Sequence, residues 1–137
     1  MPDCIFCAIA AGREAASVVG RAPGLVAFLD TRPVFKGHVL VVPEAHVADL
    51  AALVDVAPLF TLVRRIALAV PRALGAQGAF VAVNDRVSQS VPHLHAHVVP
   101  RSKGDGLRGF FWPRTKYDSV EERDAFAQRI GDALAAV

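Results

Sequence analysis

The sequence is poor in three features, each of which would point to a particular class of protein. The first is net charge: 15 basic and 13 acidic side chains leave a formal charge of +2, and the arginines are scattered rather than grouped in one segment. This balance gives no electrostatic case for nucleic-acid binding. The second is apolar length, since no uncharged apolar run approaches a membrane span. We therefore expect neither nucleic acid nor membrane as a partner.

Cysteine is the third scarce feature, because the chain contains only Cys4 and Cys7. The chain starts Met-Pro-Asp-Cys, with an acid where a signal peptide would carry basic residues, so we expect a cytoplasmic location. There the two thiols are expected to be reduced and to bind metal rather than to form a disulfide. They supply half of a tetrahedral zinc shell. The alternative is two small buried side chains near a terminus.

What the sequence does contain is enough apolar residues for one domain with a core, and we assign residues 1–137 to it. Two apolar runs, Leu25–Leu29 and His38–Val42, are bounded by turn residues. They predict a pair of antiparallel strands. A further strand is predicted over Ala79–Asn84 from its β-branched residues.

A helical pattern separates the second of these runs from the third. From Ala48 to Leu74 the apolar residues recur at steps of three and four, which is typical of a helix that buries one face. Asp55 suits the N-cap and Pro58 is tolerated in the first turn, so the main helix is predicted to begin there. Pro71 is expected to kink or end it, and Gly75 to terminate it.

The C-terminal segment differs in character, and we treat about 107–137 as an extension of the single domain. It combines the aromatic stretch 110–113, which includes Trp112, with an amphipathic helix predicted over Glu121–Val137. We expect this extension to close over an active site, either its own or that of a partner subunit.

Three of the five histidines stand at alternate positions in one short stretch, at His93, His95 and His97. Alternation is the period of a β-strand, so this predicts a strand with three imidazoles on one face and aliphatic residues on the other. Same-face residues lie roughly 6.5 to 7 Å apart, so one phosphate or metal ion could touch two of them. Pro92 lacks an amide hydrogen and suggests an edge or bulge where this strand starts.

The residues alone leave three uses of such a face open. A neutral imidazole is a competent nucleophile toward phosphorus near pH 7, and a second, protonated imidazole can donate to the leaving group or to a phosphate oxygen. A His-x-His pair can also bring two nitrogens to one metal ion. In the third interpretation these are buried, hydrogen-bonded residues without a chemical role, which three histidines in register disfavour.

The motif resembles the signature of the histidine triad family of nucleotide hydrolases and transferases, His-φ-His-φ-His-φ-φ, where φ is an apolar residue. The resemblance covers residues 3 to about 106. The stretches that carry it are Gln89–Val99, Cys4–Cys7, Ala27–Asp30, Lys36–Pro43 and His46. One departure is Ser88, which stands where the family usually has glycine.

The resemblance implies an α+β fold in which a five-stranded antiparallel sheet packs with a long helix, together with a C-terminal helix. It implies a homodimer whose sheets join across the two-fold axis. The implied reaction is hydrolysis of adenosine phosphoramidates or dinucleoside polyphosphates through a covalent nucleotidyl-histidine, with release of AMP and without an organic cofactor. Two alternatives remain, a purine-nucleotide-binding regulatory dimer with incidental turnover and a zinc metalloenzyme.

The resemblance also implies a role for each matching residue. His95 would be the nucleophile, His97 would contact the phosphate or leaving group, and His38 would orient an imidazole from behind the strand. The residues implied to bind the substrate are Asp30, Asn84, Gln89, Ser90, Phe6 and Ile9. The residues implied to hold a structural zinc ion are Cys4, Cys7, His46 and His93.

Overall fold

The computed structural model describes residues 4–107 and 114–137. Their elements, in chain order, are α1 Ile5–Ala10, β1 Val18–Ala22, β2 Leu25–Leu29, β3 Val39–Pro43, α2 Ala57–Leu74, β4 Gly78–Val83, β5 Ala96–Arg101 and α3 Val120–Ala135. The chain divides into two compact units, Met1–Asp105 and Gly106–Val137. All elements except α3 belong to the first unit.

The five strands form one antiparallel sheet in the order β1-β2-β3-β5-β4. The predicted pair is present, with Val26 of β2 opposite Val42 of β3. Strand β5 lies between β3 and β4, so that His97 stands opposite Leu40 on one side and Ala82 on the other. The predicted α+β architecture, a five-stranded antiparallel sheet with a long helix, is confirmed, whereas the dimer stays a prediction.

Side chains alternate along each strand, so the sheet has two buried faces with different coverings. Helix α2 covers one face, and the buried residues of that core are Leu25, Ala27, Val39, Val41, Leu59, Leu62, Val63, Ile66, Val70, Leu94, Ala96 and Val98. Helix α1 covers part of the other, where the buried residues are Cys4, Phe6, Ile9, Val26, Phe28, Leu40 and Val42. The N-terminal cysteines therefore belong to the face opposite the long helix.

The N-terminus of α2 departs from its prediction by one residue. Pro58 lies in the first turn as expected, but the N-cap is Val56 and not Asp55. The Asp55 carboxylate instead accepts a hydrogen bond from the amide of Ala57 at 3.1 Å. It still satisfies one of the amides that a helix N-terminus leaves free, but from one position further out.

The C-terminus of α2 shows that Pro71 does not end the helix, which continues to Leu74. Gly75 terminates it with a φ of 69°, in the left-handed region that favours glycine. Leu74 lies directly against Gly37, which has a φ of +97°, and an added Cβ there would overlap the tip of the Leu74 side chain. The end of α2 thus packs on the turn that leads into β3.

The second unit contains α3, which begins close to the predicted start. Ser119 caps it, since the serine hydroxyl accepts a hydrogen bond from the amide of Glu122 at 3.0 Å. None of the residues of α3 is buried. The predicted aromatic stretch 110–113 with Trp112 lies outside the described residues. The assignment of residues 1–137 to one domain with a C-terminal extension stays a prediction, and no helix in the described ranges is long and apolar enough to cross a membrane.

The histidine-rich stretch is not the continuous strand that was predicted. Strand β5 begins one residue before His97, so the other two histidines of the triad precede it. The amide of His93 bonds the Val91 carbonyl at 2.8 Å, and the amide of Leu94 bonds the Val47 carbonyl at 2.6 Å. The chain therefore turns where the alternation alone predicts a strand.

Candidate functional site

A cavity of about 360 Å³ opens between α1 and the sheet in the first unit. Six of the residues named from the sequence line it: Phe6, Ile9, Asp30, Ser90, His95 and His97. The wall also includes Phe28 and Leu40, two side chains of the α1-face core. An apolar wall thus faces polar groups that can hold a ribose and a phosphate.

The tautomer of His95 is set by the main chain. Its Nδ1 lies 2.8 Å from the carbonyl oxygen of His93. A carbonyl oxygen can only accept a hydrogen bond, so Nδ1 carries the proton and the lone pair of the neutral ring is on Nε2. The ring contacts its neighbours edge to face, with centroids 5.1 Å from Phe6 and 4.9 Å from His97. The neutral ring of His95 therefore has an unprotonated Nε2 that is chemically able to act as a nucleophile.

A chain of three hydrogen-bonding groups, which we call the imidazole relay, runs from the amide of Val34 through His38 to His97. The Val34 amide donates to Nδ1 of His38 at 3.1 Å. In the neutral ring the proton of His38 must then be on Nε2, which lies 2.9 Å from Nδ1 of His97. His97 accepts this bond, so its own proton is on Nε2. One backbone amide thus fixes the tautomers of two histidines.

Burial keeps the relay neutral. It lowers the pKa of His97 from its ordinary 6.5 to about 4, with the neighbouring imidazoles of His95 and His38 acting in the same direction. Burial also lowers the pKa of His38, against the opposing effect of Asp30, whose carboxylate lies 3.8 Å from Nε2. The buried Nε2 of His97 has no hydrogen-bond partner among the described residues. A buried donor without a partner is costly, so this N–H is suited to meet a ligand.

Asp30, His38 and His97 also bring three possible metal ligands to within 4.8 Å of one another. A metal ion needs a lone pair from each imidazole. The Val34 amide occupies the lone pair on Nδ1 of His38, which leaves Nε2 with the proton. The arrangement therefore fits a hydrogen-bond relay and not a metal site.

A second group of four side chains, the thiol–imidazole cluster, consists of Cys4, Cys7, His46 and His93. Its ligand atoms all lie within 4.8 Å of one another. Nδ1 of His93 is 3.3 Å from the Cys4 sulfur and 3.5 Å from the Cys7 sulfur, and Nδ1 of His46 is 3.3 Å from the Cys7 sulfur. Cys4 is also the N-cap of α1, so the helix begins within the cluster.

The donors of this cluster fit zinc. Nε2 of His93 donates to the carbonyl of Pro43 at 2.7 Å, which leaves the lone pair of Nδ1 facing the two sulfurs. Two sulfurs and two nitrogens around tetrahedral zinc would be separated by about 3.5 Å, given typical metal–ligand bond lengths. The three sulfur–nitrogen distances of 3.3, 3.3 and 3.5 Å match that value. Four protein ligands would form a closed, structural shell.

The comparisons with known proteins agree on one family. The HIT domain profile matches residues 11–104 of the chain. An uncharacterized HIT-like protein from Mycobacterium tuberculosis is 38% identical over 139 residues, covering 96% of this chain and 93% of that protein. The chain belongs to the HIT family. An adenosine 5′-monophosphoramidase from Schizosaccharomyces pombe is 32% identical, covering 96% of this chain and 98% of that protein.

Solved structures of HIT proteins have the same fold. A HIT family protein from Bacillus anthracis matches with a TM-score of 0.84 at 31% identity, covering 96% of each chain. A Zn-bound histidine triad family protein from Mycobacterium smegmatis matches with a TM-score of 0.75 at 36% identity, covering 96% of this chain and 98% of that one. The family membership expected from the histidine motif is thus confirmed, and zinc is bound by at least one structural relative.

Two residues expected at the substrate of this HIT protein are not among the described residues that line the cavity. Asn84 is exposed just after β4. The side-chain amide of Gln89 donates to the carbonyl of Ala48 at 2.7 Å. Both belong to the loop between β4 and β5, in which Ser88 has a φ of 61°. The loop thus presents Ser90 to the cavity while Gln89 is bound elsewhere.

The groups that the sequence did not reveal are mostly main-chain atoms. The Val34 amide, the Pro43 carbonyl and the His93 carbonyl each bond one imidazole directly. Such groups have no signature in sequence, because every residue has a backbone carbonyl and every residue except proline a backbone N–H. Arg32 and Glu14 also line the cavity without having been predicted. Arg32 follows Asp30 closely in the chain, which is the one signal that could have pointed to it.

Proposed function

We propose that this HIT protein hydrolyses nucleoside 5′-phosphoryl compounds through a nucleotidyl intermediate on His95 and releases AMP. The main support is the juxtaposition, in one cavity, of two complementary imidazoles. His95 has its lone pair on Nε2, and His97, with its ring centroid 4.9 Å away, has a buried N–H without a partner among the described residues. Adenosine phosphoramidates are the first substrate class to test, because the yeast relative that matches over nearly its whole length is named for that activity.

The proposed first step is in-line displacement at the α-phosphorus. Nε2 of His95 attacks, the bond from phosphorus to the leaving nitrogen breaks, and the adduct carries the positive charge of a substituted imidazolium. The His93 carbonyl oxygen, 2.8 Å from Nδ1, stabilises that charge by accepting a hydrogen bond from Nδ1–H. Neutral His97 donates a hydrogen bond to a phosphate oxygen, and the leaving amine takes its proton from solvent. Water then attacks the phosphorus of the adduct, the bond from phosphorus to Nε2 breaks, and the proton lost by the water passes to solvent. This frees neutral His95 and releases AMP.

The remaining residues position the substrate in this proposal. The base of the nucleotide lies against Phe6 and Ile9, and the Asp30 carboxylate accepts hydrogen bonds from the ribose hydroxyls; these three residues line the cavity. Ser90 donates to the leaving group. His38 acts through His97 by holding its tautomer. These groups supply orientation and preorganised hydrogen-bond donors, the two effects on which displacement at phosphorus depends most.

Asn84 and Gln89 are proposed to act on the phosphate side of the same site. Gln89 can reach it only after its amide leaves the Ala48 carbonyl. We therefore propose that the loop between β4 and β5 moves when substrate binds.

Zinc in the thiol–imidazole cluster is proposed to be structural: when bound, it would fix α1 to the sheet, and its four protein ligands would leave no open position for substrate. We further propose a cytoplasmic homodimer that takes a purine nucleotide as substrate. Light scattering on the purified protein tests the dimer, and a single-chain mass at micromolar concentration would contradict it.

Trapping of the intermediate tests the proposed reaction. Brief incubation with an adenosine phosphoramidate labelled at the α-phosphorus should leave acid-labile label on the parent protein and none on His95→Gln. His97→Gln serves as the matched control, since it keeps an N–H donor and the nucleophile and should retain label. Label on His95→Gln would show that the nucleophile is wrong. Tight AMP binding without label or turnover, on phosphoramidates and dinucleoside polyphosphates alike, would favour the regulatory dimer.

A further inference from the structure

The thiol–imidazole cluster and the nucleotide cavity share one short helix. Helix α1 has six residues and carries Cys7, while Cys4 forms its N-cap. Phe6 and Ile9 of the same helix line the cavity. A helix this short is not stable alone, so its position depends on what attaches it to the sheet. Any group that holds the two sulfurs in place also holds the apolar wall of the cavity.

His93 forms a first link between the two sites. Its ring lies between the cluster and the Pro43 carbonyl, with Nδ1 3.3 Å from the Cys4 sulfur and Nε2 2.7 Å from that carbonyl. Its own carbonyl oxygen accepts the Nδ1 proton of His95 at 2.8 Å. The group that sets the tautomer of the proposed nucleophile therefore belongs to a residue that the cluster holds.

Phe6 forms a second link. Its ring meets His93 at a centroid distance of 5.8 Å and His95 at 5.1 Å, edge to face in both cases. The side chain is only 6% exposed, so it has little room to move independently of these two rings. A displacement of α1 would therefore also shift the rings of both histidines.

We infer that metal binding at the thiol–imidazole cluster and nucleotide binding in the cavity are thermodynamically coupled through α1, Phe6 and the main chain of His93. This inference rests on the proposed function, because AMP is the ligand assigned to the cavity. Zinc at the cluster fixes the cavity wall and the Nδ1–H tautomer of His95, and so strengthens AMP binding. By linkage, AMP must strengthen zinc binding by the same factor. We expect a factor of about ten, within the usual range for coupled sites.

The test measures both affinities on the full-length protein. The dissociation constant for zinc is measured by competition with a chelating dye, with and without saturating AMP. The dissociation constant for AMP is measured by calorimetry on the zinc-loaded and the chelated protein. Both should change by about the same factor of ten. Unchanged AMP affinity after zinc removal would overturn the coupling and leave the proposed function intact, whereas no AMP binding to the zinc-loaded protein would overturn both.

A pair of matched variants separates local coupling from a general effect of zinc on folding. Phe6→Leu removes the ring that meets the two histidines. Phe28→Leu removes a ring that is equally buried, lines the same cavity and lies 5.5 Å from Phe6, but that meets neither His93 nor His95 within the described part of the chain. The coupling factor should fall toward one in Phe6→Leu and stay near its parent value in Phe28→Leu. Equal coupling in both variants would contradict the inference.

NMR of the imidazole nitrogens reports the tautomer of each histidine ring. A zinc ion that only stabilised the fold would not change the tautomer of His95. In the zinc-loaded protein His95 should be in the Nδ1–H tautomer alone. After chelation, with far-UV circular dichroism showing that the chain is still folded, the other tautomer should appear at His95 but not at His97, whose tautomer depends on His38 and the Val34 amide. A single His95 tautomer in both states would contradict the inference.

Discussion

The two ends of the histidine triad put the same side chain to opposite uses. His93 is completely buried and both of its ring nitrogens are engaged, one by the Pro43 carbonyl and the other by the cysteine sulfurs. His97 has one nitrogen engaged by His38 and the other buried without a partner in the described ranges. An imidazole with both nitrogens engaged can only stabilise the protein, whereas one that keeps a free N–H is available to a ligand.

This difference comes from the backbone and not from the spacing of the histidines. The chain turns at His93, so that ring joins the cluster, whereas His97 lies in β5 opposite Leu40 and belongs to the cavity side of the sheet. His95 stands between the two and touches both, through the His93 carbonyl and the His97 ring. A change that breaks the cluster should therefore reach His95 but leave the tautomers of His38 and His97 intact, because the Val34 amide fixes those.

The largest effect on stability is expected from Cys4→Ala, which breaks the cluster. Under the proposal, zinc would stabilise the fold by about 4 kcal/mol when free zinc exceeds its dissociation constant a thousandfold. This variant should lose most of that free energy of unfolding. Urea denaturation in a zinc buffer measures it. Adding a chelator should destabilise the parent protein and leave Cys4→Ala unchanged; a chelator without effect on the parent would rule out a structural metal.

Acidification should act on the other end of the triad, at His97. Because the pKa of His97 is about 4 in the folded protein and near 6.5 in the unfolded chain, the unfolded chain binds more protons between these values. The free energy of unfolding should therefore fall as the pH drops from 6.5 to 4, by at most about 3.4 kcal/mol for this residue. Denaturation curves across this range should show a shallower pH dependence for His97→Gln, and parallel curves would contradict the neutral relay.

A smaller effect is expected from Gly37→Ala, next to His38. The position has a φ of +97° and lies against Leu74, so a Cβ there strains the backbone and meets the end of α2. We expect a loss of about 1–3 kcal/mol in the free energy of unfolding. Gly78→Ala is the control, because a Cβ there meets nothing within 4 Å. Zinc content should be unchanged in both variants; equal stability of the two would show that the turn before β3 is not constrained.

The smallest effect should come from Ser88→Gly, in the loop that carries Ser90. Ser88 has a φ of 61°, a conformation that costs most residues free energy and glycine none. Since glycine also adds entropy to the unfolded chain, we expect a net gain of only about 0.5 kcal/mol. Ser88→Ala, which keeps a Cβ, should give no gain. A stability of Ser88→Gly below that of the parent would mean that the serine side chain stabilises the loop.

The sequence predicted the elements that depend on local pattern. Strand β2 and the end of α2 at Gly75 follow from apolar periods and turn residues, and the four members of the thiol–imidazole cluster follow from the family motif. The N-cap was misplaced because Asp55 binds the helix from one residue further out. Local chemistry thus located β2, β3, α2, β4 and α3 to within about two residues, but it did not define α1 or β1 and placed the start of β5 too early.

The sequence could not predict which histidine does what from spacing alone. The decisive contacts join distant parts of the chain: the Leu94 amide with the Val47 carbonyl, and the His93 ring with the Pro43 carbonyl. Alternation predicts a straight strand, and only these tertiary bonds turn the chain there. The tautomers of the relay likewise depend on where the fold brings one backbone amide, that of Val34.

The most direct test of the asymmetric triad is the zinc bound per folded chain in His93→Ala and His95→Ala, with hydrolysis of an adenosine phosphoramidate measured on the same samples. We predict that His93→Ala loses zinc, while His95→Ala keeps the zinc content of the parent and loses activity on the order of 10⁴-fold or more, as expected for removal of a nucleophile. Loss of zinc from both variants, or activity retained by His95→Ala, would contradict the account.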